Sequence, residues 1–189
     1  MDNKDKILLY LAKHPSNKAT MRDISLKTKI PYATFYRTLQ QMQNLIEREQ
    51  LGHSTLLTLH KKRILPSYLS VASYEEMEDY LKKQPLISKI TSELASDDIV
   101  LLFGSYASGN QRKGSDIDLL VINRSGKKTM SFSKYELLFN IKINPIFISF
   151  REIREMLKDK DENVGRQALQ NHILLNNPYL FWELVLHGI

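Results

Sequence analysis

Two short apolar runs, Ile99-Val100-Leu101-Leu102-Phe103 and Ile117-Asp118-Leu119-Leu120-Val121, flank a polar stretch that opens Gly104-Ser105 and closes Ser115-Asp116. Runs of this length bounded by turn residues predict two buried strands, and the stretch Gly104-Ser105-Tyr106-Ala107-Ser108-Gly109 predicts a turn that opens a short helix. Glycine lets backbone approach a ligand closely, and the free N–H groups of a helix start attract phosphate. Asp116 and Asp118 are two apart, so on a strand they share one face while Ile117, Leu119 and Val121 take the other. Two carboxylates on one face repel unless a cation lies between them, and hard oxygen ligands suit Mg²⁺. The pattern points to metal-assisted phosphoryl chemistry.

Either half alone is ordinary: a Gly-Ser turn is a common loop, and an Asp-x-Asp pair is often a solvated strand edge. Together, Gly104-Ser105-Tyr106-Ala107-Ser108-Gly109 and Ser115-Asp116-Ile117-Asp118-Leu119-Leu120-Val121 resemble the signature of the minimal nucleotidyltransferases of the DNA polymerase β-like superfamily. The resemblance implies a small mixed β-sheet with flanking helices. It also implies Mg²⁺ and a nucleoside triphosphate, ATP foremost, as ligand or substrate. Gly104 and Ser105 would hold the triphosphate, and Asp116 and Asp118 would be the metal-binding and catalytic carboxylates. Arg112 and Lys113, in the loop between, are candidate phosphate contacts, or equally a solvated pair. The third carboxylate of this superfamily aligns with Asn144, and an amide is neither a base at neutral pH nor a strong ligand for a hard cation. Glu136, Glu152 and Glu155 are the nearby carboxylates that could replace it, although surface helix positions are the plainer reading.

At 189 residues the chain has room for one large or two small domains. It has no Cys, which excludes a disulfide scaffold and a thiolate metal site. No run of 18 apolar residues occurs and the first residues lack a signal-type apolar core, so a soluble cytoplasmic protein is expected. Charge is segregated. Residues 1–63 carry 12 Lys/Arg against 5 Asp/Glu, net +7, and residues 64–189 carry 15 against 16, net −1. A basic first third suggests a module that faces a polyanion.

In that module Ile7, Leu8, Leu11 and Ala12 predict a helix that His14-Pro15-Ser16-Asn17 ends. Thr20, with Asp23 three residues on, predicts a capped second helix from Met21 to Thr28, and Pro31 suits the first turn of a third helix running to about Arg48. Phe35, Leu39, Met42 and Ile46 stack on one face of it, leaving Ala33, Tyr36, Arg37, Gln40, Gln41 and Asn44 outward. Ile46 to Gln50 and Thr55 to Leu59, around Leu51-Gly52-His53-Ser54, predict a hairpin. Three helices and a hairpin resemble the winged helix-turn-helix domains, which implies double-stranded DNA as partner, the third helix in the major groove and the hairpin as wing. Lys27, Lys29, Tyr36, Arg37, Gln40, Gln41 and His53 are the candidate DNA-binding residues, with Arg48 and Lys61-Lys62-Arg63 as further phosphate contacts. The alternative is a polar face that is merely solvated.

The expected organisation is α+β: a winged-helix domain over residues 1–63, a helical connector over 64–96 that is a possible dimer contact, and a nucleotidyltransferase-like domain over 97–189. A helix is expected near 131–140, a strand near 141–149, and two apolar-faced helices from Val164 onward separated by Asn176-Asn177-Pro178, with Phe181 and Trp182 as core. The five histidines, His14, His53, His60, His172 and His187, show no ligand spacing. A homodimer is expected, and three functions compete: a DNA-binding nucleotidyltransferase acting on a hydroxyl, a catalytically inactive winged-helix regulator that uses the nucleotidyltransferase fold for nucleotide sensing or dimerisation, and an antitoxin-like partner of a helical toxin.

Overall fold

The computed structural model describes residues 1–15, 19–159 and 161–188. Ser16 and Asn17 of the expected first-helix stop lie outside the described residues, as does the His187 side chain. The chain divides into two compact units, Met1–Ser73 and Tyr74–Ile189.

In the first unit, helix α1 (Asn3–Lys13) starts at Asp2, whose carboxylate accepts from the Asp5 N–H at 2.9 Å. Helix α2 (Met21–Lys27) opens with the predicted reciprocal cap. The Asp23 N–H donates to Thr20 Oγ1 at 3.2 Å, and the Thr20 N–H donates to Asp23 Oδ2 at 3.0 Å. Helix α3 (Tyr32–Gln40) begins after Pro31, which is the residue before the helix and not its first turn. It also ends well short of Arg48, at Gln40. Strand β1 (Ile46–Leu51) pairs with β2 (Ser54–Leu59) from Ile46↔Leu59 to Leu51↔Ser54, and this ladder claims the backbone that helical periodicity alone would have kept in the helix. Phe35, Leu39, Met42 and Ile46 are nevertheless all buried, because the turns after Gln40 keep Met42 and Ile46 on the core side. Gly52, at φ +60°, makes the two-residue hairpin turn with His53.

Helix α4 (Leu65–Leu81) carries the division between the units, and α5 (Pro85–Ser92) follows with proline in its first turn. The second unit is built on one sheet in the order β5-β4-β3-β6. Strands β3 (Ile99–Phe103) and β4 (Ile117–Asn123) pair antiparallel, β4 and β5 (Ile143–Ser149) pair parallel, and β6 (Ile173–Asn176) pairs antiparallel with β3. Between them lie α6 (Gly104–Ser108), α7 (Ser133–Phe139), α8 (Phe150–Lys158) and α9 (Val164–Gln170), and α10 (Pro178–Gly188) closes the chain. One face of the sheet, with Val100, Leu102, Ile117, Leu119 and Val121, packs with Ile87, Ile90, Phe132 and Tyr135. The alternate residues Ile99, Leu101, Leu120 and Ile122 are buried as well, so the central strands read as continuous apolar runs.

One expectation for the C-terminal segment fails. Ile173 and Leu174 belong to strand β6 and not to a helix, because a short apolar run gives no period and the open edge of β3 accepts it as a fourth strand. Asn176 Nδ2 secures that strand to the carbonyls of Ser96 and Asp98 at 2.7 and 2.8 Å. Phe181 and Trp182 are core residues, edge to face at 5.0 Å, and both rings meet buried His172, Phe181 edge-on and Trp182 at a tilt. No described helix is long and apolar enough to cross a membrane.

Candidate functional site

Strand register assembles the site. Phe103, the last residue of β3, lies opposite Asp118, and Asp118 lies opposite Asn144 across the parallel β4–β5 ladder. Gly104 follows Phe103 directly, so the glycine turn, the second aspartate and Asn144 come from three adjacent strands. Asp116 stands just ahead of β4, and the Ile117 N–H donates to the Lys142 carbonyl at 2.9 Å, so Asp116 and Lys142 flank the same ladder end.

Gly104 has φ +69°, and a Cβ built there would run into Asp118 Oδ2. This position therefore demands glycine twice, for its backbone angle and for its contact with a carboxylate. Ser105 is half-buried in the first turn of α6, and its hydroxyl has no protein hydrogen bond among the described residues. Asn110 N–H donates to the Ser105 carbonyl at 2.9 Å, and Gly109, at φ +73°, ends the helix. Arg112 and Lys113 are exposed and meet no carboxylate among the described residues, while the Arg112 N–H donates to Ser115 Oγ at 2.8 Å and holds the loop in a turn.

The two aspartates are held by groups that sequence reasoning only half anticipated. Asn144 Nδ2 donates to Asp116 Oδ2 at 3.1 Å and to Asp118 Oδ1 at 3.4 Å. Lys142 Nζ, which the sequence reading passed over, donates to the same Asp116 Oδ2 at 3.0 Å. The Lys142 ammonium first, and the Asn144 amide after it, hold the Asp116 carboxyl below its usual pKa. Once the register sets Asn144 against Asp118, the residue two before Asn144 falls beside the residue two before Asp118.

None of the candidate replacement carboxylates reaches this place as a free group. Glu136 Oε1 accepts the Ile143 N–H at 3.0 Å, Glu152 caps α8 through the Ser149 N–H at 2.6 Å, and Glu155 pairs with Arg151 at 2.8 Å. Glu152 and Glu155 lie beyond Ser149, five strand residues or about 16 Å from Asn144. Among the described residues no three His, Asp or Glu side chains cluster as a metal site. The donor set that does fit a divalent cation is Asp116 and Asp118 with the Asn144 amide oxygen, beside a glycine that leaves the Asp118 carboxylate uncovered by any Cβ.

In the first unit Lys27, Lys29, Arg37, Gln41 and His53 are exposed, as is Tyr36. Lys29, at φ 56°, sits in the turn between α2 and α3, and Gln40 accepts from Gln43 Nε2 at 2.8 Å. Arg48 is exposed too, and its Nη2 donates to the Leu39 carbonyl at 3.3 Å near the end of α3. A groove of about 730 Å³ runs along this region between Arg22, Leu26, Lys29, Pro31 and Tyr32.

The chain has no match among curated proteins or among solved structures. Residues 85–169, which hold Gly104, Ser105, Asp116, Asp118 and Asn144, match the family model of the nucleotidyltransferase domain, which supports the nucleotidyltransferase superfamily for this part of the chain.

Proposed function

We propose that the protein binds a metal-nucleoside triphosphate at Gly104, Ser105, Asp116 and Asp118 and transfers a nucleoside monophosphate to a hydroxyl acceptor, with its basic first unit bound to double-stranded DNA. The observation that carries the reading is the fit of Gly104 against Asp118, with Asp116 and Asn144 alongside, inside the segment that matches the nucleotidyltransferase domain. A divalent ion, when bound, neutralises charge on the triphosphate. The chain's own residues do the rest. The Gly104-Ser105 turn offers backbone N–H groups and a free hydroxyl to phosphate oxygens. Asp116 and Asp118 hold the ion, and Arg112 and Lys113 supply positive charge at the loop. The acceptor oxygen bonds to the α-phosphorus, the bond to the β-phosphate oxygen breaks, pyrophosphate leaves, and the hydroxyl proton passes to water. Asn144 cannot take that proton.

A second reading follows from that last point: a nucleotide-sensing regulator without turnover, supported by the lack of a third carboxylate among the described residues. Tyr68, Val71 and Tyr74, exposed at steps of three along α4, support a homodimer in either case.

The test is equilibrium binding of ATP with Mg²⁺ to the full chain, followed by incubation with α-labelled ATP and lysate. Binding that Asp116→Asn and Asp118→Asn each weaken at least tenfold, with label moved to a product, supports the enzyme. The same binding without labelled product supports the regulator. A folded protein that binds no nucleotide at millimolar concentration removes both.

A further inference from the structure

We infer that Lys142 and Asn144 are a built-in counter-charge for the Asp116–Asp118 pair, so that a divalent ion enters this site together with a triphosphate and only by displacing the Lys142 ammonium. The inference rests on the metal-nucleotide reading above and concerns how that same site is controlled.

Two carboxylates on one strand face need positive charge or donors between them. Here both needs are met from within the chain. Lys142 Nζ and Asn144 Nδ2 converge on the same oxygen, Asp116 Oδ2, at 3.0 and 3.1 Å, and the amide also spans to Asp118 Oδ1 at 3.4 Å. Neither an ammonium nor an amide NH₂ can ligate a metal, since both present only donors. A metal ion that takes Asp116 Oδ2 therefore has to evict Lys142 from it, and the Asn144 amide has to turn for its Oδ1 to face inward. The Lys142 side chain is 67% exposed, and an ion pair so open to water is weak, so this barrier is modest and reversible. Asn144 is half-buried, and its place in the ladder opposite Asp118 keeps the amide at the carboxylates.

The released ammonium then has no anion unless the incoming ligand provides one. A triphosphate provides several oxygens within reach of a long side chain with three donors, whereas a free hydrated ion offers none. Lys142 thus opposes the metal alone and favours the metal-nucleotide complex. The site thus prefers a metal that arrives with a nucleotide over the free ion.

The test is titration of the full chain with Mn²⁺, read by electron paramagnetic resonance and calorimetry, with and without a non-hydrolysable ATP analogue. Lys142→Met should bind Mn²⁺ alone about two- to fivefold more tightly than the natural chain, the scale of one exposed charge pair, and should bind the Mn²⁺-nucleotide more weakly. Asn144→Asp, which puts a third carboxylate in place of the donor, should lower the melting temperature without metal and regain it with Mn²⁺. If Lys142→Met leaves Mn²⁺ affinity unchanged or lower, or if metal-free Asn144→Asp melts with the natural chain, the counter-charge idea is overturned while the site reading stands. If the natural chain and both variants bind no Mn²⁺ with nucleotide present, the metal-nucleotide reading itself fails.

Discussion

Glycine at position 104 is set by a collision and an angle, and both can be tested with one methyl group. Gly104→Ala places a Cβ against Asp118 Oδ2 at a backbone φ of +69°. The left-handed conformation alone costs a non-glycine residue about 1–2 kcal/mol. Relief of the contact requires the Asp118 carboxylate or the Gly104 backbone to shift. The variant should therefore melt below the natural chain and also lose nucleotide affinity beyond what its stability loss accounts for. Gly109→Ala is the control: it shares a positive φ, +73°, but a Cβ there meets nothing within 4 Å, so it should cost stability and leave nucleotide affinity intact. Equal affinity losses in the two would remove the special role of Gly104. These residues were legible because glycine, serine and alternating aspartates carry their chemistry in their identity. Lys142 was not, since a lysine just ahead of a strand reads as solvated until the pairing of Ile117 with Ile143 brings it beside Asp116.

At the scale of elements, α7 is tied to α5 by one carboxylate. Glu93 accepts from Lys89 at 2.5 Å, from Lys134 at 2.7 Å and from the Tyr135 hydroxyl at 2.7 Å. The Lys134 ammonium, with Lys89 and Tyr135, brings Glu93 down to about 2, and burial with the Glu93 charge pushes Tyr135 up to about 12. A depressed carboxyl adds stability that is fully present above its unfolded value near 4.5 and is lost as pH falls toward 2. The melting temperature of the natural chain should thus exceed that of Glu93→Gln at pH 7, and the gap should close between about pH 4.5 and 2. A gap that stays constant through that range would show that the pairings add nothing. Edge strand β5 is guarded in a related way: the Ile143 N–H goes to Glu136, the Ser149 N–H to Glu152, and Pro145 between them has none. Helices with caps, such as α2 and its Thr20–Asp23 pair, were legible from sequence because the signal is local. The end of α3 and the strand β6 were not, since each is decided by a partner far away in the chain, Leu59 for Ile46 and Leu102 for Ile173.

At the scale of the whole molecule the dominant quantity is how charge is divided along the chain. Net +7 in residues 1–63 and net −1 in residues 64–189 mean that any affinity for a polyanion should be governed by the first part of the chain. Phosphate binding releases counterions, so the logarithm of affinity falls linearly with the logarithm of salt concentration, by about 0.9 per contact on duplex DNA. Lys27, Lys29 and Arg37 are exposed, with Asp23 the carboxylate that feels the Lys27 charge. If all three meet phosphate, replacing them together by alanine should reduce the slope for a random duplex by about 2.7. Gln41→Ala, which removes an exposed side chain without charge, should leave it nearly unchanged. Fluorescence anisotropy of a labelled duplex between 50 and 300 mM salt measures both. A triple variant whose slope matches the natural chain would mean that the basic face is only solvated, and the DNA-binding reading of the first unit would go with it.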